Sequence, residues 1–310
     1  MSFSFRSRLI LIFLATYPLS GCLFRSHPVK PAVALAPLKE TTQAELIEYI
    51  NSQAAKIRTM EATVDIDTSV GGEKKGSITD YKQIRGYVLA RKPAMLRMIG
   101  LLPIVRSRAF DMVSDGREFK LWIPSKNRFV IGRNDVESHN VRQPLENLRP
   151  QVIYDALLML SIDPASEIAV KENGVEGVTD SKGHRIEQPD YLIDVIQKGK
   201  NGSFISRKIV FSRTDLLPDR QMSFDENGEL ATDTRYSLYK DYSGVTFPSK
   251  IEIKRPQEEY DITLTIVKLE LNEPLADDKF ALEQPASADV VHLGQTKTSA
   301  SPGQMSPSNR

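Results

Sequence analysis

The apolar and polar positions of this chain change rhythm several times, and each change marks an element. Between residues 43 and 59, Leu46, Ile47, Ile50, Ala54 and Ile57 recur at the spacing of one helix face. Thr42-Gln43-Ala44-Glu45 stands before them as a capping box, in which threonine and glutamate satisfy the unpaired amides of a first turn. The spacing predicts a helix over 43–59. From Glu61 the period falls to two: Ala62, Val64, Ile66 and Thr68 alternate with polar neighbours as far as Gly71-Gly72, and Ile84, Gly86 and Val88 carry the alternation onto a second strand. Asp115-Gly116, Asn201-Gly202 and Asn227-Gly228 each separate strand-like runs, as the residues of tight hairpins do. Tyr260, Ile262, Leu264 and Ile266 share one face, whereas Val267, Leu269 and Leu271 take the opposite phase. That slip predicts a β-bulge near 266–267.

One interruption returns to helical spacing. From 146 to 160, Leu148, Val152, Ile153, Ala156, Leu157 and Leu160 fall on one stripe, with Pro150 suited to a first turn and Asp163-Pro164 closing the segment. Leu158 and Met159 make its last turns apolar almost all round, the mark of a helix buried on more than one side. The expected fold is mainly β with α: about eleven antiparallel strands of a kind that curls into a barrel or packs as a sandwich, here favouring a single highly curved sheet wrapped around helices.

The N-terminus adds a destination. Arg6 and Arg8 precede the run from Leu9 to Leu19, which is too short to span a bilayer as a helix but suits a signal peptide. Leu19-Ser20-Gly21-Cys22 resembles the lipobox of bacterial lipoproteins, which implies cleavage before Cys22 and acylation of that cysteine. Residues 1–21 are thus expected to be removed. Residues 22–39, with Pro28, Pro31 and Pro37, read as a tether, 40–285 as the folded domain and 286–310 as a disordered Ser/Thr-rich tail. Leu23, where an aspartate favours inner-membrane retention in enteric lipoproteins, points instead to the outer membrane, with the domain facing the periplasm. Cys22 is the only cysteine, so neither a disulfide nor a thiolate metal site can form. The formal charge falls from +1 to −1 when Arg6 and Arg8 are lost, which gives no footing for nucleic acid.

Chemistry is sparse. His27, His139, His184 and His292 are scattered without metal-ligand spacing, and no nucleophile elbow or phosphate loop occurs. Asp65 and Asp67 sit two apart on a strand, as a solvated face does. No catalytic residue, metal or cofactor is expected.

Three passages resemble the LolA/LolB-type lipoprotein-carrier superfamily: GYVLARKPAMLRMIG at 86–100, DMVSDGREFKLWIPSKNRFVIG at 111–132 and LNEPLADDKFALEQP at 271–285. They occur in the family's order, with a helix before the strands and another in mid-chain. The resemblance implies an unclosed half-barrel covered by helices, whose hydrophobic cavity binds or transfers acyl chains of lipids or lipoproteins, with the mid-chain helix as a lid and no enzymatic activity. Leu96, Met98, Met112, Trp122, Ile153, Leu157 and Leu160 are then expected to line cavity and lid. Gly100-Leu101-Leu102-Pro103-Ile104 places apolar residues where a turn is ordinarily polar, so Leu101 and Leu102 are expected in a membrane or transfer loop. The alternative is a structural or assembly lipoprotein whose curved sheet holds an envelope protein partner.

Overall fold

The computed structural model describes residues 37–136, 148–179, 185–200 and 202–293. The signal, Cys22 with the tether as far as residue 36, His27, His139, His184 and the end of the tail from 294 lie outside the described residues. Of the described residues, those within 36–176 and 189–310 cluster into one compact unit and those within 177–188 belong to a second. Of the second unit, strand segments at 177–179 and 185–188 are described.

Helix α1 spans Gln43–Lys56, and its capping box forms: Glu45 N–H donates to Thr42 Oγ1 at 3.2 Å and Thr42 N–H to Glu45 Oε2 at 2.7 Å. Six strands follow: β1 Thr59–Gly72, β2 Ser77–Arg91, β3 Met95–Leu101, β4 Arg108–Ser114, β5 Glu118–Ile123 and β6 Arg128–Arg133. Helix α2 is Pro150–Leu157. Eight more strands complete the chain: β7 Ile168–Thr179, β8 Arg185–Gly199, β9 Gly202–Ser212, β10 Pro218–Phe224, β11 Leu230–Tyr242, β12 Val245–Arg255, β13 Tyr260–Leu271 and β14 Asp289–His292. They form one unclosed sheet in the order β14-β6-β5-β4-β3-β2-β1-β13-β12-β11-β10-β9-β8-β7. Two meanders therefore meet at the antiparallel β1–β13 pair. There Thr63 faces Lys268 and Val64 faces Ile266, which leaves Val267 as the extra residue of the expected bulge.

The sheet has to curl around α2. The helix is eight residues long, about 12 Å. It packs against β4 and β3 on one side and β12 on the other. Those outer strands lie five strand spacings apart, about 24 Å along the sheet, more than a flat sheet could bring to so short a helix.

Both helices are shorter than their apolar stripes. α1 ends at Lys56 because Ile57 is already extended. α2 begins at Pro150, whose missing N–H is no loss in a first turn. It ends at Leu157 rather than 160, because the chain beyond is held by another element: Asn51 of α1 accepts from Ile162 N–H at 2.7 Å and donates to its carbonyl at 3.2 Å. Periodicity cannot register such a tertiary bond.

The expectation of a tail loose from residue 286 is corrected. Asp289–His292 adds to β6 as a parallel strand, and Asn127 fixes the approach, donating to Ser287 O at 2.7 Å and accepting from Asp289 N–H at 2.8 Å. Val291 and Leu293 pack on the main core, and Ala288 on the opposite face. Four strand residues in a Ser/Ala-rich context are too few for a legible period. Ending the chain at 285 should cost about 2–4 kcal/mol, the worth of two partly buried aliphatic side chains and their ladder bonds. Ending it at 293 should cost nothing measurable. Urea unfolding of the two truncations checks this; equal stability would mean that β14 contributes nothing.

Candidate functional site

The period-two strands turn one apolar row inward on nine consecutive strands, from β6 to β11 in sheet order. Val130, Leu121, Met112, Met98, Val88, Val64, Leu264, Ile251 and Tyr236 are among them, and all are buried. α2 roofs this face with Ile153, Tyr154, Ala156 and Leu157, and Tyr154 Oη donates to Pro93 O at 2.7 Å. At the far end of the sheet α1 does the same on a second cluster, with Leu46 and Ile50 over Tyr191, Ile193, Ile209 and Phe211.

Between the two apolar clusters the inner face becomes polar. Register places Arg207 beside Ser223, Ser223 beside Thr232, and in the continuing antiparallel β11–β12 pairing Thr232 beside Arg255. The neighbouring row pairs Ile209 with Gln221 and Gln221 with Thr234. Arg207 Nη1 donates to Leu160 O at 3.0 Å and Nη2 to Ser161 O at 3.2 Å, and its ion pair with Glu167 is 3.4 Å long. Arg255 donates from Nη1 to Thr232 Oγ1 at 3.0 Å and is paired with Glu258. Arg207, Gln221, Ser223, Thr232, Thr234 and Arg255, together with Val152, Asp155, Ala156 and Leu160, bound a cavity of about 160 Å³. On the other side of Ala156 lies a smaller apolar cavity of about 40 Å³, walled by Leu157, Tyr236, Tyr239 and Phe247 among others.

Asp155 is the acid of this region. Burial pushes its carboxyl up to about 6, against the opposing pull of the Gln151 amide hydrogen bond and the Arg207 charge. A carboxyl raised from 3.8 binds its proton more tightly in the folded than in the unfolded chain. The stability it contributes is present at low pH and is lost as pH rises from 3.8 to about 6. We expect a loss of about 1–3 kcal/mol across that window, and a flat profile with higher stability at pH 7 in Asp155→Asn. Urea midpoints at successive pH values check this; the same slope in the variant would assign the loss to other groups.

The residues expected from sequence are divided by the structure. Leu96, Met98, Met112, Ile153 and Leu157 converge on the inner face and are fully buried. Leu160 lies beyond the end of α2, 39 % exposed, at the rim of the polar cavity. Trp122 does not belong with them. The alternation that turns Leu121 inward turns Trp122 outward, where it packs on Phe129 with ring centroids 6.4 Å apart, near Val113 and Leu282. Leu101 ends β3 and Leu102 starts the following turn, but the tip of that hairpin is Ile104, 99 % exposed, followed by Val105 at 69 %. Arg106 and Arg108 follow it.

Sequence reading missed the polar rows. The signal lay in phase: Arg207 shares the inward parity of Ile209 and Phe211, Arg255 that of Ile251 and Ile253, and Thr232 and Thr234 that of Tyr236. Among the described residues no group of His, Cys, Asp and Glu is arranged to hold a metal, and no helix is long and apolar enough to cross a membrane.

No family model and no curated protein matches this chain. Solved structures similar to it include a LolA superfamily protein from Nitrosomonas europaea, at 14% identity and TM-score 0.45, covering 76% of this chain and 97% of that one. A domain from Vibrio parahaemolyticus described under outer membrane lipoprotein sorting matches at 12% identity and TM-score 0.47, covering 76% and 94%. The Pseudomonas aeruginosa MucA/MucB complex matches at 13% and 0.24, covering 84% and 68%. The superfamily that three sequence passages resemble is represented among its structural neighbours.

Proposed function

We propose that this chain is a lipid-anchored envelope protein that holds acyl chains of lipids or lipoproteins against the inner face of its sheet, with α2 as the lid. One observation carries the reading: an apolar face nine strands wide is roofed in its middle, among the described residues, by a single eight-residue helix. An acyl chain in water costs about 0.8 kcal/mol per exposed methylene, so a carrier in an aqueous compartment needs such a face. The apolar cavity of about 40 Å³ is too small for a whole chain, and loading requires α2 to move off the β3, β4 and β12 face. Leu96, Met98, Met112, Ile153 and Leu157 would then line the opened site, with Leu160 at its mouth. Binding, not catalysis, is the role.

Cys22 would carry the anchor, and residues 23–39 would allow a reach of at most about 50 Å from the outer membrane into the periplasm. Ile104 and Val105, between Arg106 and the apolar Leu101 and Leu102, suit a loop that touches a bilayer during transfer. The test is native mass spectrometry of the chain expressed with its signal and gently extracted. The reading expects non-covalent lipid adducts on a chain whose Cys22 is acylated, and loss of fatty-acid labelling in Cys22→Ala. A lipid-free protein that takes up no added fatty acid would remove it.

A second reading, a structural lipoprotein that holds an envelope protein partner, is favoured by the sheet's end. β7 is a terminal strand with Ile168 63 % and Val170 40 % exposed. Gln43 of α1 occupies part of that edge, donating to Ala169 O and accepting from Lys171 N–H, both at 3.0 Å.

A further inference from the structure

We infer that the polar cavity beside α2 is a headgroup subsite, and that it takes the uncharged, hydroxyl-bearing head of a single-chain amphiphile, a glycerol ester rather than a free carboxylate or phosphate. The inference rests on the acyl-chain reading above and gives that ligand its chemical class.

Three observations support it. The first is an unmet acceptor. Gln221 is only 6 % exposed and lines the cavity, yet its Oε1 has no hydrogen-bond partner among the described residues. A buried acceptor left unpaired costs roughly 1–3 kcal/mol, so the site is built for a donor that comes from outside. Tyr236 repeats the pattern: its ring walls the apolar cavity, while its buried hydroxyl, also unpaired among the described residues, feels the charges of Asp155 and Arg207. Two orphaned oxygens thus stand where the polar and apolar cavities approach each other across Ala156.

The second is charge. Two arginines on the inner face would ordinarily suggest an anion. Here Arg207 is already paired with Glu167 and Arg255 with Glu258, and both glutamates are almost fully buried. Asp155 adds a further acid to the wall. Counting Arg149, whose charge acts on Glu258 and Arg255, the surrounding charges balance once Asp155 ionises, so a carboxylate or phosphate head would give up its water beside the Asp155 carboxylate with both wall arginines already paired. A hydroxyl head meets no such barrier. It donates to Gln221 Oε1 and accepts from Ser223, Thr232 or Thr234, whose hydroxyls can turn either way.

The third is position and size. The cavity of about 160 Å³ has room for about five waters at ~30 Å³ each, enough for a three-carbon head but not for a sugar chain. Its rim is Leu160, and the apolar face begins on its other flank at Ala156. An amphiphile entering past Leu160 would leave its head among the hydroxyls and lay its chain under α2.

The experiment compares monolauroylglycerol with laurate, equal in chain length, on the purified mature chain at pH 7, by displacement of a fluorescent fatty acid. The inference expects the glycerol ester to bind at least tenfold more tightly. Gln221→Leu, close in volume and without the unpaired acceptor, should cut the glycerol ester's affinity about tenfold and leave laurate within twofold. The melting temperature of that variant should hold or rise, because an unpaired polar group is removed. Equal affinity for the two probes, or a Gln221→Leu variant that binds both as wild type does, overturns the subsite while leaving the acyl-chain reading in place. If neither probe binds, both fall, and the cavity is a water-filled seam in a structural domain.

Discussion

Asp111→Asn is expected to lower the unfolding free energy by about 3–5 kcal/mol, the usual loss when one partner of a buried ion pair is removed. Asp111 is 0 % exposed on the outer face of β4. Arg97 grips it with two hydrogen bonds, from Nε at 3.0 Å and Nη2 at 2.8 Å, and Arg108 adds a third contact at 3.1 Å. Arg97 also donates to Lys279 O at 2.9 Å, and so ties the segment after β13 across the outer face. Asparagine keeps the shape but leaves the guanidinium buried against a neutral amide. The double variant Arg97→Met with Asp111→Leu should recover most of the loss, because the desolvation of two charges disappears with them. Urea unfolding measures both. A loss under about 1 kcal/mol for the single variant would mean that apolar packing of Leu275, Phe280 and Leu282 holds the segment without the ion pair.

Leu157→Ala should cost about 2–5 kcal/mol, toward the lower end because one flank of Leu157 already borders open space. Leu157→Gln should cost more, since it would bury an amide against the apolar side chains of Phe247 and Ala156. Leu157→Gln should weaken displacement of a fluorescent fatty acid at least tenfold, whereas Trp122→Phe, on the opposite face, should leave it unchanged. Equal effects of the two substitutions on binding would remove α2 from the ligand's path.

The sheet was legible because its strands are half-buried, and burial on one face writes itself as alternation. The bulge at Val267 was visible for the same reason: a phase slip in the sequence is a register slip in the ladder. The N-terminus of α1 could be read because capping is local chemistry. What escaped was set by contacts distant in sequence. The end of α2 depends on Asn51, more than a hundred residues earlier, and β14 depends on Asn127. Trp122 was misplaced because an aromatic residue draws attention by size, while its face is decided by the parity of the smaller Leu121 and Ile123. The inner polar rows stayed hidden because charged residues in strands are ordinarily read as solvated. Only their shared phase with Ile209, Phe211, Ile251 and Ile253 marks Arg207 and Arg255 as inward.

The central claim is that the inner face accepts an acyl chain when α2 moves. The most direct measurement is equilibrium titration of the purified mature chain with a fluorescent fatty acid, alongside a variant in which a disulfide locks α2 to the start of β3. The account predicts saturable binding at one site in the mature chain, and loss of that binding in the locked form with recovery on reduction. Fluorescence that rises without saturation, or binding that is the same locked and unlocked, would contradict it.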